Sequence, residues 1–208
     1  MKRVYIATLN RGKLRDFSAA AHGVAEILPL PNFSSLSPVE EDGATFEENA
    51  RKKAAYYSSL VRGEVVVADD SGLEVEALGG APGVHSARYA APDKLGNATD
   101  SANNERLLRE LEGVPDQERG ARFVCVIAVA RDGEVLATFR GEAKGMILHA
   151  ARGTGGFGYD PLFLFPDLGK TFAELTPEEK ARVSHRGQAF RKFTEWINDE
   201  EAAARHGH

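Results

Sequence analysis

The stretch "VVVADDSGLEVEALGG" (residues 65–80) runs from a series of valines directly into two adjacent aspartates. A continuous apolar run such as "EVVVA" (64–68) predicts a strand that is buried on both faces. Because an unpaired carboxylate is very costly to bury, we expect this strand to end at Asp69 and Asp70, with a break at the following "SG" pair. Strand ends are where α/β proteins place ligands, so the two carboxylates are expected to face a cleft.

The segments before this strand alternate between strand and helix patterns. "RVYIAT" (3–8) predicts a first strand, which a polar loop connects to an amphipathic helix. "VAEIL" (24–28) predicts a second short strand. A longer helix is predicted over residues 45–61, where Thr45 and Glu48 have the spacing of a capping box.

The segments after it continue the alternation. "LEVEAL" (73–78) has the apolar–polar alternation of a half-exposed strand, and residues 101–113 predict a helix. The apolar runs on either side of Asp132-Gly133 predict a long β-hairpin. The last helix is expected to start at Ser184. One antiparallel hairpin among alternating strands and helices predicts an α/β fold with a mixed β-sheet flanked by helices.

Length and composition are ordinary for a globular protein. The chain has 208 residues, of which 42% are hydrophobic and 27% are charged; we predict a single domain that spans residues 1–208. The single cysteine, Cys125, excludes an intramolecular disulfide and is interpreted as a small buried hydrophobic residue. No signal peptide and no apolar stretch of about 20 residues is present. We therefore expect a cytoplasmic protein without a membrane partner.

The formal net charge of -5 argues against broad nucleic-acid binding, which normally needs a basic face. It leaves room for an anionic small substrate, because a local cluster of lysines and arginines can outweigh the net charge within a cleft.

The loop "TLNRGK" (8–13) follows the first predicted strand and precedes the first helix. Backbone N–H groups at a helix N-terminus, with Thr8, Asn10 and Lys13 beside them, suit an anion such as phosphate. The glycine spacing of a Walker A loop is absent. An ordinary strand-to-helix turn is the alternative interpretation.

Two adjacent carboxylates at a strand end suit Mg²⁺, a hard cation that prefers oxygen ligands and often shares them with substrate phosphates. The alternative is an Asx-type turn in which Asp69 and Ser71 bond nearby N–H groups. A turn alone does not explain why two acidic residues directly follow a run of apolar residues that is expected to be buried.

A second polar group surrounds the start of the long helix. Glu40 and Glu41 lie in the loop before it, where acids are usually solvated. Asn49 and Lys53 are four residues apart and therefore share one face of the helix. This polar pair could serve a cleft or lie on an exposed face.

Two further segments carry polar or aromatic groups. In "GGFGYDP" (155–161) the glycines allow close approach of the backbone, Phe157 and Tyr159 offer stacking faces, and Asp160 is an acceptor. A loop that closes an apolar core is the alternative for this segment.

The segment "EEKARVSHRG" (178–187) places Lys180, His185 and Arg186 around a helix start. Cations there oppose the helix dipole, which indicates an anionic or carbonyl-rich ligand. Taken together, these motifs predict a Mg²⁺-dependent nucleotide enzyme.

Five blocks closely resemble the inosine triphosphate pyrophosphatase family, the pyrophosphatases of non-canonical purine nucleoside triphosphates. They are "ATLNRGKLRDF", "EEDGATFEENARKKA", "ADDSGLEVEALGGAPGVHSARYA", "GTGGFGYDPLF" and "AELTPEEKARVSHRGQA". They occur in the order of the family and extend from Ala7 to Ala189. Asp16 stands where a glutamate is common, and His85 replaces a usual tyrosine.

The resemblance implies hydrolysis of ITP, dITP and XTP to the monophosphate and pyrophosphate, with Mg²⁺ as cofactor. It also implies an elongated mixed α/β fold whose two lobes flank a nucleotide cleft, usually in a homodimer.

The resemblance also assigns residues by matching motif. Asp70 would be the general base with Asp69 in support, and Mg²⁺ would bind Asp70 with one or both of Glu40 and Glu41. Ser71 would contact the substrate. The triphosphate would be held by Thr8, Leu9, Asn10, Arg11, Gly12, Lys13 and Lys53. The base pocket would consist of Phe157, Gly158, Tyr159, Asp160, Lys180, His185 and Arg186.

The implied mechanism is in-line attack of water on the α-phosphorus, with pyrophosphate as the leaving group. An aspartate beside a cation keeps a low pKa, so the role expected for Asp70 is mainly to orient a metal-polarised water. Donors on Arg186 and around His185 would pair with the 6-oxo group of hypoxanthine or xanthine and would oppose the 6-amino group of adenine. The alternatives are a pyrophosphatase acting on modified pyrimidine triphosphates and a nucleotide sensor without turnover.

Overall fold

The computed structural model describes residues 2–21, 25–91 and 96–206, which form one mixed β-sheet with helices on both faces. The strands are β1 Lys2–Ile6, β2 Ala25–Pro29, β3 Val66–Val75, β4 Gly120–Arg131, β5 Glu134–Ile147, β6 Phe163–Phe165 and β7 Lys170–Thr171. The helices are α1 Arg11–Ala20, α2 Phe46–Ser59, α3 Asp100–Glu110, α4 Pro177–Val183 and α5 His185–His206. The predicted α/β class with a mixed sheet is confirmed.

The strands lie in the order β2-β1-β3-β4-β5-β6-β7. β1 is parallel to β2 and β3, and each later pair of neighbours is antiparallel. The predicted hairpin joins β4 to β5 at Asp132 and Gly133, whose φ values are 52° and 88°. Two positive φ values are typical of a type I′ turn, whose twist matches that of the paired strands.

The start of α2 agrees with its sequence signal. The Thr45 side chain accepts a hydrogen bond from the Glu48 N–H, and the Glu48 carboxylate accepts one from the Thr45 N–H. This capping box satisfies N–H groups that the first turn leaves without helical partners. The helix therefore begins at a defined residue, which matters for the side chains that it directs toward the sheet.

The two faces of the sheet are covered by different helices. Val66 belongs to the core beneath α2, whereas its neighbour Val67 belongs to the core beneath α1 and α5. Because successive side chains of a strand point to opposite faces, Asp69 lies on the α1–α5 face and Asp70 on the α2 face.

The prediction that β3 ends at the aspartates is wrong. The strand continues through "DDSG" to Val75, and residues 66–75 pair with residues 121–130 of β4. The strand that does end here is β1, after which the Ala7 N–H donates to the Val67 carbonyl at 2.9 Å. Beyond that hydrogen bond, β1 no longer covers the edge of β3. Asp69 and Asp70 therefore lie inside β3, at a part of its edge that β1 does not cover.

Other predicted boundaries also differ from the structure, because the first strand ends at Ile6 and the long helix ends at Ser59. The strand predicted over 73–78 ends at Val75, and Glu76–Leu78 form a 3-10 turn. The helix predicted over 101–113 is regular only to Glu110 and is followed by a turn.

Part of one strand prediction lies outside the described residues, namely Val24 at the start of the second strand. In the described part of the chain, no helix combines the length and the apolar character needed to cross a membrane.

Candidate active site

A cavity of about 480 Å³ lies beside the edge of β3 that β1 leaves uncovered. Its walls come from the loop before α1, from α2, from the 3-10 turn Gly83–Arg88 and from the loop before β6. The residues predicted from the sequence that line it are Thr8, Leu9, Asn10, Lys13, Glu41, Lys53, Asp69, Asp70, Ser71, Phe157, Gly158, Tyr159, Asp160 and Arg186. The other predicted residues do not line it, and they are Arg11, Gly12, Glu40, Lys180 and His185.

Asp69 is held as an ionised carboxylate on the α1–α5 face. Its Oδ2 atom is 2.8 Å from Lys13 Nζ and accepts a hydrogen bond from the Ser71 hydroxyl at 3.1 Å. Burial acts to raise the pKa of Asp69, but the charges of Lys13, Lys53 and Arg186 outweigh it, so the pKa is lowered. Asp69 therefore stays charged and keeps Lys13 in place.

Asp70 lies in a different electrostatic environment on the α2 face. Its Oδ2 accepts from Asn49 Nδ2 at 2.9 Å, and its Oδ1 accepts from the Ser71 N–H at 3.0 Å. Burial raises its pKa to about 6, against the opposing charges of Lys53 and Lys13. A carboxylate with this pKa beside a cavity suits a general base near neutral pH. The low pKa expected for Asp70 beside a cation is not produced by Lys53 and Lys13, because burial outweighs their charges.

Lys53 is buried next to the carboxylates. Its Nζ donates to Glu41 Oε2 at 2.9 Å. Burial acts to lower the pKa of Lys53, but Asp70, Glu41 and Asp69 outweigh it, and the pKa is raised. Lys53 and Asn49 are both buried, so the alternative of an exposed face is wrong for this pair.

The structure distinguishes the two glutamates before α2. Glu41 lines the cavity, whereas Glu40 is exposed to solvent outside it.

The loop before α1 is held by its own side chains. Asn10 is the N-cap, and its Oδ1 accepts from the N–H groups of Gly12 and Lys13 at 2.9 and 3.0 Å. Thr8 Oγ accepts from the Asn10 N–H at 3.1 Å. The amides expected to face an anion at Gly12 and Lys13 are therefore occupied by Asn10. The Lys13 ammonium group, beside Asp69, is the cation that this loop brings to the cavity.

Arg186 connects the start of α5 to the strand that carries the aspartates. Its guanidinium donates to Ser71 Oγ at 2.9 Å and to Asp16 Oδ2 at 3.1 Å. Asp16 also lies 3.1 Å from Lys180 Nζ, which bonds Asp160 Oδ2 at 2.7 Å. Asp16, which stands where a glutamate is common in the family, therefore pairs with both Lys180 and Arg186, two cations that were predicted for the base pocket.

Phe157 packs between two elements of the site. Arg186 and Lys180 lie over its ring, with Cζ and Nζ at 4.8 and 5.1 Å from the centroid. A Cβ atom on Gly12 would lie 2.3 Å from Phe157 Cδ1, so the absence of a side chain in α1 makes room for the ring. Gly12 thus acts through Phe157 and not by contact with the cavity.

His185 and Tyr159 are both enclosed. The His185 ring is stacked on Phe123 with centroids 4.7 Å apart, and burial lowers its pKa well below the usual value, so the ring is neutral. Tyr159 donates its hydroxyl to the Ser86 carbonyl at 2.7 Å, and burial raises its pKa. Each ring therefore supports the cavity wall mainly by packing.

Side chains from other elements position the site and were not singled out as site residues from the sequence. Arg88 donates to the Glu41 carbonyl at 2.8 Å. On α3, Asp100 accepts from the Gly158 N–H at 2.7 Å and Asn104 donates to the Gly158 carbonyl at 3.0 Å. These contacts join residues that are 47 to 58 positions apart in the sequence, so a local sequence pattern cannot predict them.

The chemistry of the donors fits Mg²⁺. In the residues that the structure describes, no group of three or more His, Cys, Asp and Glu side chains forms a ready metal cage. The cavity does hold the carboxylates of Asp69, Asp70 and Glu41. The Asp70 and Glu41 carboxylates both border this cavity and offer oxygen atoms, which are the ligands that Mg²⁺ prefers. Mg²⁺ typically takes one or two carboxylates and completes its shell with water and substrate phosphate.

Comparison with known proteins identifies relatives along nearly the whole chain. The Ham1 family profile matches residues 4–196. A dITP/XTP pyrophosphatase of Acidobacterium capsulatum is 52% identical over 90% of this chain and 94% of its own length. A protein of the same name from Geobacillus kaustophilus is 51% identical over 94% of each chain.

Solved structures agree with the sequence comparison. The Ham1 protein of Staphylococcus aureus superposes with a TM-score of 0.80 at 40% identity, covering 96% of this chain and 100% of that one. A HAM1 protein of Coxiella burnetii gives a TM-score of 0.81 at 38% identity with the same coverage. The mixed sheet and its helices are therefore those of this group of structures.

Proposed function

The chain belongs to the Ham1 family, and from that premise we propose that it hydrolyses ITP, dITP and XTP to the nucleoside monophosphate and pyrophosphate. Removal of these triphosphates keeps non-canonical purines out of DNA and RNA. The observation that carries the proposal is the pair of adjacent aspartates that line one cavity together with Lys13, Lys53 and Glu41.

In this mechanism Asp70 holds the attacking water in line with the α-phosphorus and accepts its proton. Lys13 and Lys53, which border the same cavity, offset the charge that develops on the phosphate oxygens. Asp69 keeps Lys13 oriented. Arg186 also lines the cavity, beside Ser71, and its donors favour a 6-oxo purine over a 6-amino purine.

We propose Mg²⁺ as the cofactor, held by Asp70 and Glu41. When bound, it would neutralise charge on the triphosphate and polarise the attacking water. The support is the oxygen-only donor set and the position of Glu41, which faces the cavity while Glu40 does not.

The adjacent glutamates provide a matched test of the metal site. We expect Glu41→Gln to weaken Mn²⁺ binding by about 10- to 100-fold, because a carboxylate ligand is lost. Glu40→Gln has the same change of charge one residue away and should bind Mn²⁺ as the wild type does. Electron paramagnetic resonance titration of free Mn²⁺, without nucleotide, measures both. Equal effects of the two variants would contradict the assignment of Glu41.

We further propose a homodimer that acts in the cytoplasm, where nucleotide pools turn over. Its support is the family resemblance. Light scattering after size exclusion should give twice the 22.5 kDa mass of the chain. A mass of one chain at micromolar concentration would contradict the dimer.

The activity is tested by incubating the protein with Mg²⁺ and a panel of triphosphates and measuring pyrophosphate separately from orthophosphate. Pyrophosphate from ITP and XTP, with little from ATP, is the expected result. Orthophosphate alone would indicate a phosphatase, and selective release from modified pyrimidine triphosphates would indicate the related pyrimidine enzymes. Binding without any product would indicate a nucleotide sensor.

A further inference from the structure

Asn49, on the second turn of α2, is 1% exposed and connects two parts of the candidate site. Its Nδ2 donates to Asp70 Oδ2 at 2.9 Å. Its Oδ1 accepts from the Gly43 N–H at 2.8 Å. One side-chain amide therefore joins the proposed base to the segment that carries Glu41.

The chemistry of this link requires an amide. The partner on one side is a carboxylate, which only accepts, and the partner on the other side is a backbone N–H, which only donates. A carboxamide offers one donor group and one acceptor in a single planar unit. An aspartate or a leucine at position 49 would leave at least one of these partners unsatisfied, and an unsatisfied buried polar group is costly.

The segment after Glu41 is anchored at several points, and the Asn49 anchor is also hydrogen-bonded to Asp70. The Glu48 carboxylate accepts from the N–H groups of Ala44 and Thr45 at 2.7 and 3.3 Å. Together with the bond to Gly43, three successive backbone amides are fixed to the first turns of α2. The placement of Glu41 relative to Asp70 is therefore set by this helix together with Arg88, which donates to the Glu41 carbonyl.

We propose that Asn49 is a positioning residue that sets the distance and orientation between the Glu41 and Asp70 carboxylates, and that it acts through them on divalent-cation binding and on kcat. The proposal rests on the proposed function for its kcat component. Its cation component stands independently, because the affinity for Mn²⁺ is measured without substrate.

Space around Gly43 offers a second way to disturb the same link. A Cβ atom at position 43 would lie 2.7 Å from Asn49 Oδ1 and 2.9 Å from Glu48 Cβ, which is too close for the observed arrangement. Gly43→Ala should therefore displace the segment that carries Glu41 away from Asn49, while the Asn49 side chain itself is kept.

Ser58 provides the matched control. It is fully buried on the same helix, and its hydroxyl accepts from the Gly133 N–H at 3.0 Å, at the hairpin turn. Ser58→Ala therefore removes a buried hydrogen bond of α2 at the end away from the site.

The test measures Mn²⁺ affinity by electron paramagnetic resonance, ITP turnover, and thermal unfolding for Asn49→Ala, Gly43→Ala and Ser58→Ala. We expect the first two to weaken Mn²⁺ binding by about tenfold and to lower kcat by about 10- to 100-fold, with KM for ITP within threefold of the wild type. Ser58→Ala should lower the melting temperature and leave Mn²⁺ affinity and kcat within twofold.

Unchanged Mn²⁺ affinity in both Asn49→Ala and Gly43→Ala would overturn the proposal, as would equal losses in Ser58→Ala. If Asn49→Ala does not fold, Gly43→Ala decides by the same criteria. If the wild-type protein releases no pyrophosphate from ITP, the proposed function is overturned. The role of Asn49 in cation binding is still tested by the Mn²⁺ affinities of the variants.

Discussion

Asp70→Asn is expected to lower kcat for ITP hydrolysis by about 10³- to 10⁴-fold while nucleotide binding persists. Asparagine has nearly the same shape but cannot take a proton from the attacking water, and a positioned general base typically contributes about 10²- to 10⁴-fold. The loss of an anionic ligand for the cation adds to the effect. Pyrophosphate release measures kcat, and equilibrium binding of IMP measures affinity. Turnover near that of the wild type would remove Asp70 from the role of base.

The same substitution should change how the stability of the fold depends on pH in metal-free buffer. The pKa of Asp70 rises to about 6 in the folded protein, so its ionisation opposes folding, and stability is lost as the pH rises from about 4 to 6. Between pH 4 and pH 7.5 the melting temperature of the Asp70→Asn variant should therefore rise relative to that of the wild type. The mismatch of the new amide with the Asn49 and Ser71 donors is the same at both pH values and cancels from this comparison.

Asp69→Asn is the control for this stability effect, with the opposite sign. Because the folded pKa of Asp69 is lowered, its charge stabilises the fold above the unfolded pKa, and that stabilisation is lost as the pH falls. At pH 7.5 Asp69→Asn should melt below the wild type, since Lys13 loses its carboxylate partner. Similar shifts in both variants would show that the two aspartates are equivalent.

Arg186→Ala is expected to lower kcat/KM for ITP by about 100-fold or more, and the residual activity on ATP by less than tenfold. The guanidinium borders the cavity and is fixed by Ser71 and Asp16, so its donors have a defined direction. A 6-oxo group can accept from such donors, whereas the 6-amino group of adenine cannot. Sites built around a buried hydrogen-bonding group can discriminate by orders of magnitude.

Two further variants test whether Arg186 recognises the base through its hydrogen-bond donors or acts only through its positive charge. Arg186→Lys keeps the cation near Asp16 but loses the planar fork of donors, so it should fold normally and still lose preference for ITP over ATP. Arg182→Ala removes an exposed arginine of α4 and should leave both activities unchanged. Equal losses on ITP and ATP in both Arg186 variants would show that this residue does not read the base.

The parts of the fold that follow from local signals could be predicted from the sequence. The Thr45–Glu48 capping box lies within four residues, and the Asp132-Gly133 turn depends on the φ preferences of two adjacent positions. Such signals do not depend on which distant segments become neighbours. The two elements accordingly have the predicted type and position.

The course of β3 could not be predicted in this way, because it depends on pairing between distant segments. Ser71 and Gly72 have the composition of a turn, but β4 pairs with them through Cys125 and Val124 and keeps the strand extended. The rule that strands avoid charge assumes that neighbours cover both edges. Here β1 stops early, and the carboxylates meet a cavity beside the strand.

The site shows the same division between local and distant information. Glu40 and Glu41 are chemically identical in the sequence, and they are distinguished by the fold, which brings Glu41 to the cavity, to Lys53 and to Arg88. Asn49 and Lys53 could be placed on one helix face from their spacing, but the partners Gly43 and Asp70 depend on the folded structure.

The ion pair between Asp16 and Arg186 joins residues 170 positions apart, so it can form only after nearly the whole chain has been made. The β4–β5 hairpin closes over a two-residue turn, so its contacts can form early at small cost in chain entropy. During synthesis, Asp16 and Asp69 leave the ribosome long before Arg186 does. A nascent chain that lacks α5 therefore also lacks Arg186 at the cavity and the α5 side chains that cover one face of the sheet, so the site is complete only after the start of α5 has docked.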